Sequence, residues 1–127
     1  MKHFLSAALF APFLFVLPVA ADGDAASGES LFRRCAACHS IEEGGRAKQG
    51  PNLFGVYGRT AGTSQGFDRY SDGVASSGMV WSDESLSQWL QGPAQFIDGA
   101  KMTFRLSDEQ DIADVIAYLK ANSPSAE

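Results

Sequence analysis

Between Ile41 and Gly78 the chain runs for roughly forty residues with no sustained apolar period, rich in Gly, Ser, Thr and Asn. A loop of that length is uncommon inside a compact domain, because its own buried apolar surface cannot offset the entropy of ordering it. Yet 127 residues allow one domain. Hydrophobic residues at 45% and charged residues at 20% are ordinary globular values, which argues against wholesale disorder. The two facts agree if something other than protein fills the core. The chain asks for a prosthetic group.

The flanking segments are helical by pattern. Asp24 is placed to cap a helix, and Gly28, Leu31, Phe32 and Cys35 follow at i, i+3, i+4 and i+7, predicting a helix that ends near Cys38. A short helix is expected around Ser71 to Ser76. Ser82 caps another that carries Leu86, Trp89 and Leu90 and is stopped by Gly92-Pro93. Ser107 with Gln110 reads as a capping box ahead of the stripe Ile112, Val115, Ile116 and Leu119. Asp108, Glu109 and Asp111 stand at that helix's positive end and Lys120 near its negative end. No long alternating run supports an all-β sandwich. Three main helices and long loops are expected.

Residues 1–21 read as an export signal: Lys2 and His3, an apolar run from Phe4 to Val16, Pro18, then Val19-Ala20-Ala21 before a cleavage site. A retained anchor fits less well, since Phe4 to Ala21 barely spans a bilayer and holds two prolines. The expected domain is therefore 22–127, periplasmic and not membrane-spanning. Lys+Arg number 10 against 15 Asp+Glu, and losing Lys2 takes the net charge from −5 to −6. That excludes a nucleic-acid binder with a basic face. Losing His3 leaves His39 as the only histidine.

Cys35-Ala36-Ala37-Cys38-His39 is the pattern of c-type haem attachment. Two intervening residues put both sulfurs on one side of a helical turn, where they can add to the two haem vinyl groups. His39 is then held beneath the iron. An exported cysteine pair would otherwise form a disulfide. A thioredoxin-like pair needs a βαβ setting, and the segment after His39 has none. A zinc site would lack the second ligand cluster that completes a tetrahedron. The expected cofactor is one haem c, covalent through Cys35 and Cys38.

The second axial ligand cannot be histidine, which leaves Met79 and Met102. Either can be core filler. Met79 suits that role, in Met79-Val80-Trp81 just before a helix cap. Met102 lies in an aperiodic segment, Gly99 to Phe104, where a core role is less natural. The pattern favours Met102 as a ligand and leaves Met79 open.

In this order along the chain, Gly28 to His39, Gly50-Pro51-Asn52-Leu53-Phe54-Gly55, Gly58-Arg59, Gly66-Phe67, Tyr70, Trp81, Gly99 to Phe104 and Val115 to Lys120 resemble the class I c-type cytochromes. The likeness is to the mitochondrial type and its soluble bacterial relatives. It implies an all-α cytochrome c fold whose first and last helices cross near Gly28 and Tyr118 around one haem. It implies His39 and Met102 as iron ligands, Pro51 as the carbonyl acceptor for His39, and Arg59, Tyr70 and Trp81 as residues solvating a buried propionate. The family's tyrosine, asparagine and threonine beside the methionine are replaced here by Trp89, Val74 and Ala100, and the proline before Gly99 by Asp98.

The resemblance implies a single-haem electron carrier that cycles Fe(III)/Fe(II) between a donor and an acceptor of a respiratory or photosynthetic chain. It implies no catalytic residue, transient redox protein partners and a monomer. Two alternatives are an electron-accepting subunit of a periplasmic dehydrogenase, and a haem sensor or peroxidase-like protein with a labile distal ligand. With Ala94 and Gln95 at positions where such carriers often bear lysine, docking through an apolar patch with Phe104 is expected, unless Arg34, Lys48 and Lys101 cluster closely enough to steer.

Overall fold

The computed structural model describes residues 7–13 and 22–124. Positions 4–6 and 14–16 of the expected apolar run, and the expected cleavage point after Ala21, lie outside the described residues. Within 7–13, Leu9, Phe10 and Phe13 are exposed. No helix among the described residues is long and apolar enough to cross a membrane.

Among the described residues five helices follow in order: α1 (Ala25–Phe32), α2 (Asp72–Ser76), α3 (Asp83–Gln91), α4 (Pro93–Phe96) and α5 (Glu109–Ala121). Among the described residues there is no strand, only an isolated antiparallel bridge between Thr60 and Val80. The all-α expectation holds. Asp24 caps α1 through its side chain, and the Ser27 hydroxyl on that carboxylate holds its pKa below the ordinary value. Here α1 is shorter than the pattern predicted. After Phe32 the backbone switches largely to i→i−3 bonds, from Arg34 to Leu31, Cys35 to Phe32 and Cys38 to Cys35, so the attachment motif sits on tighter turns.

Ser71 caps α2 where the short helix was expected. Ser82 and Ser85 cap α3 reciprocally, and Gly92-Pro93 stops it. The proline then opens α4, where its missing N–H is no loss. The box expected at Ser107 moves one residue on. Asp108 caps α5 by accepting from Asp111 N–H at 2.9 Å, and Gln110 turns its amide to Asp114 Oδ1 at 2.9 Å.

The two terminal helices pack most extensively, α1 against α5. Gly28 makes this possible, because a Cβ there would fall on the Asp114 carbonyl and 2.8 Å from Tyr118 Cβ. Asp114 is buried, and its carboxylate also accepts the Asp24 N–H at 2.8 Å, so the crossing is pinned by a polar clasp. Phe32 lies against Tyr118 with ring centroids 5.3 Å apart. Around this pair Val56, Trp81, Leu86, Leu90, Leu106, Val115 and Leu119 form the core.

The long loop is ordered by its own polar groups. Gly50 N–H donates to Cys38 O and Leu53 N–H to Ser40 O, and the Asn52 amide bonds Ser40 Oγ and the Glu42 carbonyl. Gly58 and Trp81, then Trp81 and Arg59, exchange backbone bonds that set Arg59 beside Trp81 in space.

Candidate haem site

Between these elements lies a cavity of about 300 Å³, at the small end of ligand-site volumes. Its wall includes Cys35, Cys38, His39, Pro51, Arg59, Tyr70, Trp81 and Met102, all eight residues singled out from the sequence. Met79 packs against the core but does not line the cavity.

The turn after α1 brings both thiols to this wall without joining them to each other. Cys38 Sγ lies 3.3 Å from Gln49 Oε1, and burial pushes the Cys35 thiol pKa up. His39 Nδ1 lies 2.7 Å from the Pro51 carbonyl, a contact in which the ring nitrogen donates. That leaves Nε2 as the nitrogen available to a metal. Burial lowers the His39 pKa, against the opposing pull of the Pro51 carbonyl. The neutral form is the ligating one. Gly50 packs so closely on the imidazole that a Cβ there would overlap the ring. In the sequence Gly50 is only part of a matching stretch; the steric reason for the glycine appears with the fold.

Arg59 is partly buried, and loss of water lowers its pKa while Tyr70 opposes the shift. Its guanidinium donates to Phe54 O at 3.1 Å and Asn52 O at 3.3 Å. Tyr70 Oη accepts the Ser64 N–H at 3.0 Å, which leaves its own proton to donate elsewhere. Trp81 is buried and meets Trp89 edge-on, centroids 5.5 Å apart. Val74 and Trp89 line the cavity; Ala100 does not.

Arg34, Arg69 and Lys101 also reach the cavity wall. Arg34 lies over the Phe104 ring at 5.0 Å, Lys101 Nζ donates to Arg69 O at 3.1 Å, and Arg69 Nη2 donates to Lys48 O. Lys48 Nζ in turn donates to Ala36 O at 2.7 Å, inside the attachment motif. Arg34, Lys48 and Lys101 are open to clustering from the sequence; Arg69, aperiodic and outside every motif, carries no signal.

Two thiols, an imidazole and a thioether on one mostly apolar cavity make a donor set that fits a covalently held haem. It does not fit a bare ion. Among the described residues no three His, Cys, Asp or Glu side chains come together as a metal site.

The family model described as Cytochrome c matches residues 25–123. The chain is 52% identical over 107 residues to "Cytochrome c" of Theileria annulata, covering 83% of this chain and 91% of that one. It is 46% identical over 106 residues to "Cytochrome c2" of Blastochloris viridis, covering 83% and 82%. With "Cytochrome c2" of Rhodospirillum rubrum it shares 38% identity over 131 residues, covering 94% and 96%.

Proposed function

Because the chain belongs to the cytochrome c family, a family of single-haem electron carriers, we propose that it is a periplasmic carrier passing one electron at a time between transient redox protein partners of a respiratory or photosynthetic chain. Cys35 and Cys38 are the family's haem-attaching pair in this chain. When bound, the haem supplies the one-electron Fe(III)/Fe(II) couple. The reading of residues 1–21 as an export signal, with a mature domain from Asp22, is part of this proposal, and the likeness to bacterial proteins named cytochrome c2 supports the periplasmic reading.

The residues divide the work by position. Cys35 and Cys38 hold the group to the turn after α1. His39, with Nδ1 committed to Pro51 and its ring pressed on Gly50, keeps one orientation and offers Nε2 to the iron. Met102, also on the cavity wall, would offer a neutral thioether, which favours the reduced state more than a second imidazole would. Arg59, Tyr70 and Trp81 stand ready to donate to a carboxylate that would be costly to bury alone. The core residues around them exclude water, so little solvent has to reorganise when charge changes.

The observation that carries this reading is the convergence of the two cysteines and His39, from one stretch of chain, with Met102, from another, on one cavity, with Met79 outside it. Optical spectra test it. Met102→Ala should abolish the sulfur-to-iron charge-transfer band and open a site for small ligands, whereas Met79→Ala should cost stability alone. Loss of the band in Met79→Ala with its survival in Met102→Ala would reverse the assignment.

A further inference from the structure

Three Asp-Gly pairs occur in the chain. Asp22-Gly23 precedes α1; the other two, Asp72-Gly73 and Asp98-Gly99, lie inside the folded domain in very different settings. Such a pair carries latent chemistry. The glycine has no side chain to shield its nitrogen, and its permissive backbone can bring that nitrogen onto the carboxyl carbon of the aspartate. Whether this happens depends on how freely the peptide between the two residues can turn over.

In α2 that peptide is held. Asp72 is the first residue of the helix, and its carbonyl accepts the Ser76 hydroxyl at 2.7 Å. A Cβ on Gly73 would lie 2.7 Å from the Asp98 carbonyl oxygen and 2.8 Å from Ile97 Cγ2, so this glycine is walled in. Around Asp98-Gly99 the restraints are missing. Ala100 N–H donates to Ile97 O at 3.1 Å and Gly99 has φ +77°, the pattern of a type II turn with Asp98 and Gly99 at its centre. Among the described residues the Gly99 N–H, the Asp98 carbonyl and the Asp98 carboxylate make no hydrogen bond. Both residues are exposed, and a Cβ on Gly99 would meet nothing within 4 Å. The central peptide of this turn can flip toward solvent, because glycine accepts either sign of φ that the flip requires.

We propose that Asp98-Gly99 is a site of spontaneous covalent modification in the folded protein, isomerising to isoaspartate, and that the fold protects Asp72-Gly73 from the same reaction. The Gly99 nitrogen attacks Asp98 Cγ. The N–Cγ bond forms, the C–OH bond breaks, and the amide hydrogen leaves with the hydroxyl as water, closing a succinimide ring. Water then reopens it. Cleavage between Cγ and nitrogen restores aspartate; cleavage between the α-carbonyl and nitrogen leaves the main chain running through Cβ and Cγ, with the α-carboxylate as its side group. Water is lost and regained, so no oxidant or reductant enters. The product has the mass of the parent and one extra backbone methylene, in the segment that leads to Met102 on the cavity wall.

Prolonged warm incubation of the ferric holoprotein, below its unfolding transition, tests this. Chymotrypsin, applied after denaturation, cuts behind Trp81 and Phe96 and so puts the two sites on separate peptides. Electron-transfer fragmentation then distinguishes isoaspartate from aspartate in each. In the native protein isoaspartate should accumulate at Asp98 roughly tenfold faster than at Asp72 or more, because the walled site must open before it reacts. In guanidinium, where both pairs are unstructured, the two rates should agree within about twofold. Asp98→Glu can close only a slower, larger ring and should abolish the product at this position. The proposal is overturned if native rates at the two sites lie within about threefold of each other, or if Asp98 forms isoaspartate in guanidinium and none in the native protein. Should Asp98→Glu fail to mature, the comparison of the two sites in the parent still decides.

Discussion

Replacing Gly28 by alanine tests the helix crossing on which the site is built. The added Cβ would fall on the Asp114 carbonyl and lie 2.8 Å from Tyr118 Cβ. Carbon atoms rest at about 3.5–4.0 Å, so α1 and α5 must part by roughly 1 Å. That overpacking costs ~1–3 kcal/mol. It is offset by at most ~1 kcal/mol from the better helix propensity of alanine. The parting also stretches the bond from Asp24 N–H to the buried Asp114 carboxylate, which is 2.8 Å in the native protein. A net loss of ~1–2 kcal/mol should lower Tm by about 5–15 °C in a domain of this size. Thermal unfolding of the ferric holoprotein followed by far-ultraviolet circular dichroism measures it, with exposed Ser30→Ala as the control on the same helix. A Tm equal to or above that of the parent would show that the contact at Gly28 does not limit the crossing.

Two further outcomes follow from the cavity and its rim. Replacing both Cys35 and Cys38 with alanine should leave a largely unfolded chain: about 300 Å³ of unfilled core at ~24 cal/mol per Å³ amounts to ~7 kcal/mol, comparable to a whole domain's ~5–15 kcal/mol. Native helical dichroism in the haem-free protein would contradict this. Electron transfer with the natural partner should slow as ionic strength rises, despite the net charge of −5, because Arg34, Lys48, Arg69 and Lys101 gather at one edge of the cavity. Such steering is worth ~10–10³-fold and fades over a Debye length of ~10 Å at 0.1 M salt; a rate independent of salt would point to apolar docking at Ala94, Gln95 and Phe104 instead.

Much of the site was readable from local rules. The attachment motif needs only five consecutive residues, because two sulfurs and an imidazole are placed by one stretch of turn. Capping at Asp24 and Ser82, and the apolar stripe of α5, are equally local, since a cap or a helical period depends on neighbours within a few positions. For Pro51, Arg59, Tyr70 and Trp81 the spacing alone was silent. Resemblance pointed to them, and the fold brought them onto one wall with Met102.

Other features belong to tertiary structure alone. Asp114 sits on the stripe side of α5 among Ile112 and Val115, where its periodicity says nothing of a partner; the Asp24 N–H that satisfies it is 90 positions away. Ser107 reads as the cap of α5 and Asp108 only as a charge at its positive end; in the fold the Asp108 carboxylate caps the helix, and Gln110 bonds Asp114 instead. Gly50 against His39 and Gly73 against Asp98 are glycines for want of room, and room is a property of two packed segments rather than of either one. Whether Arg34, Lys48 and Lys101 cluster is likewise left open by a chain of acidic net charge, because Lys48, Arg69 and Lys101 meet only where loops far apart in sequence close over the cavity. Period, cap and motif travel with the neighbouring residues; close approach and charge clustering are decided by which distant surfaces the buried core brings together.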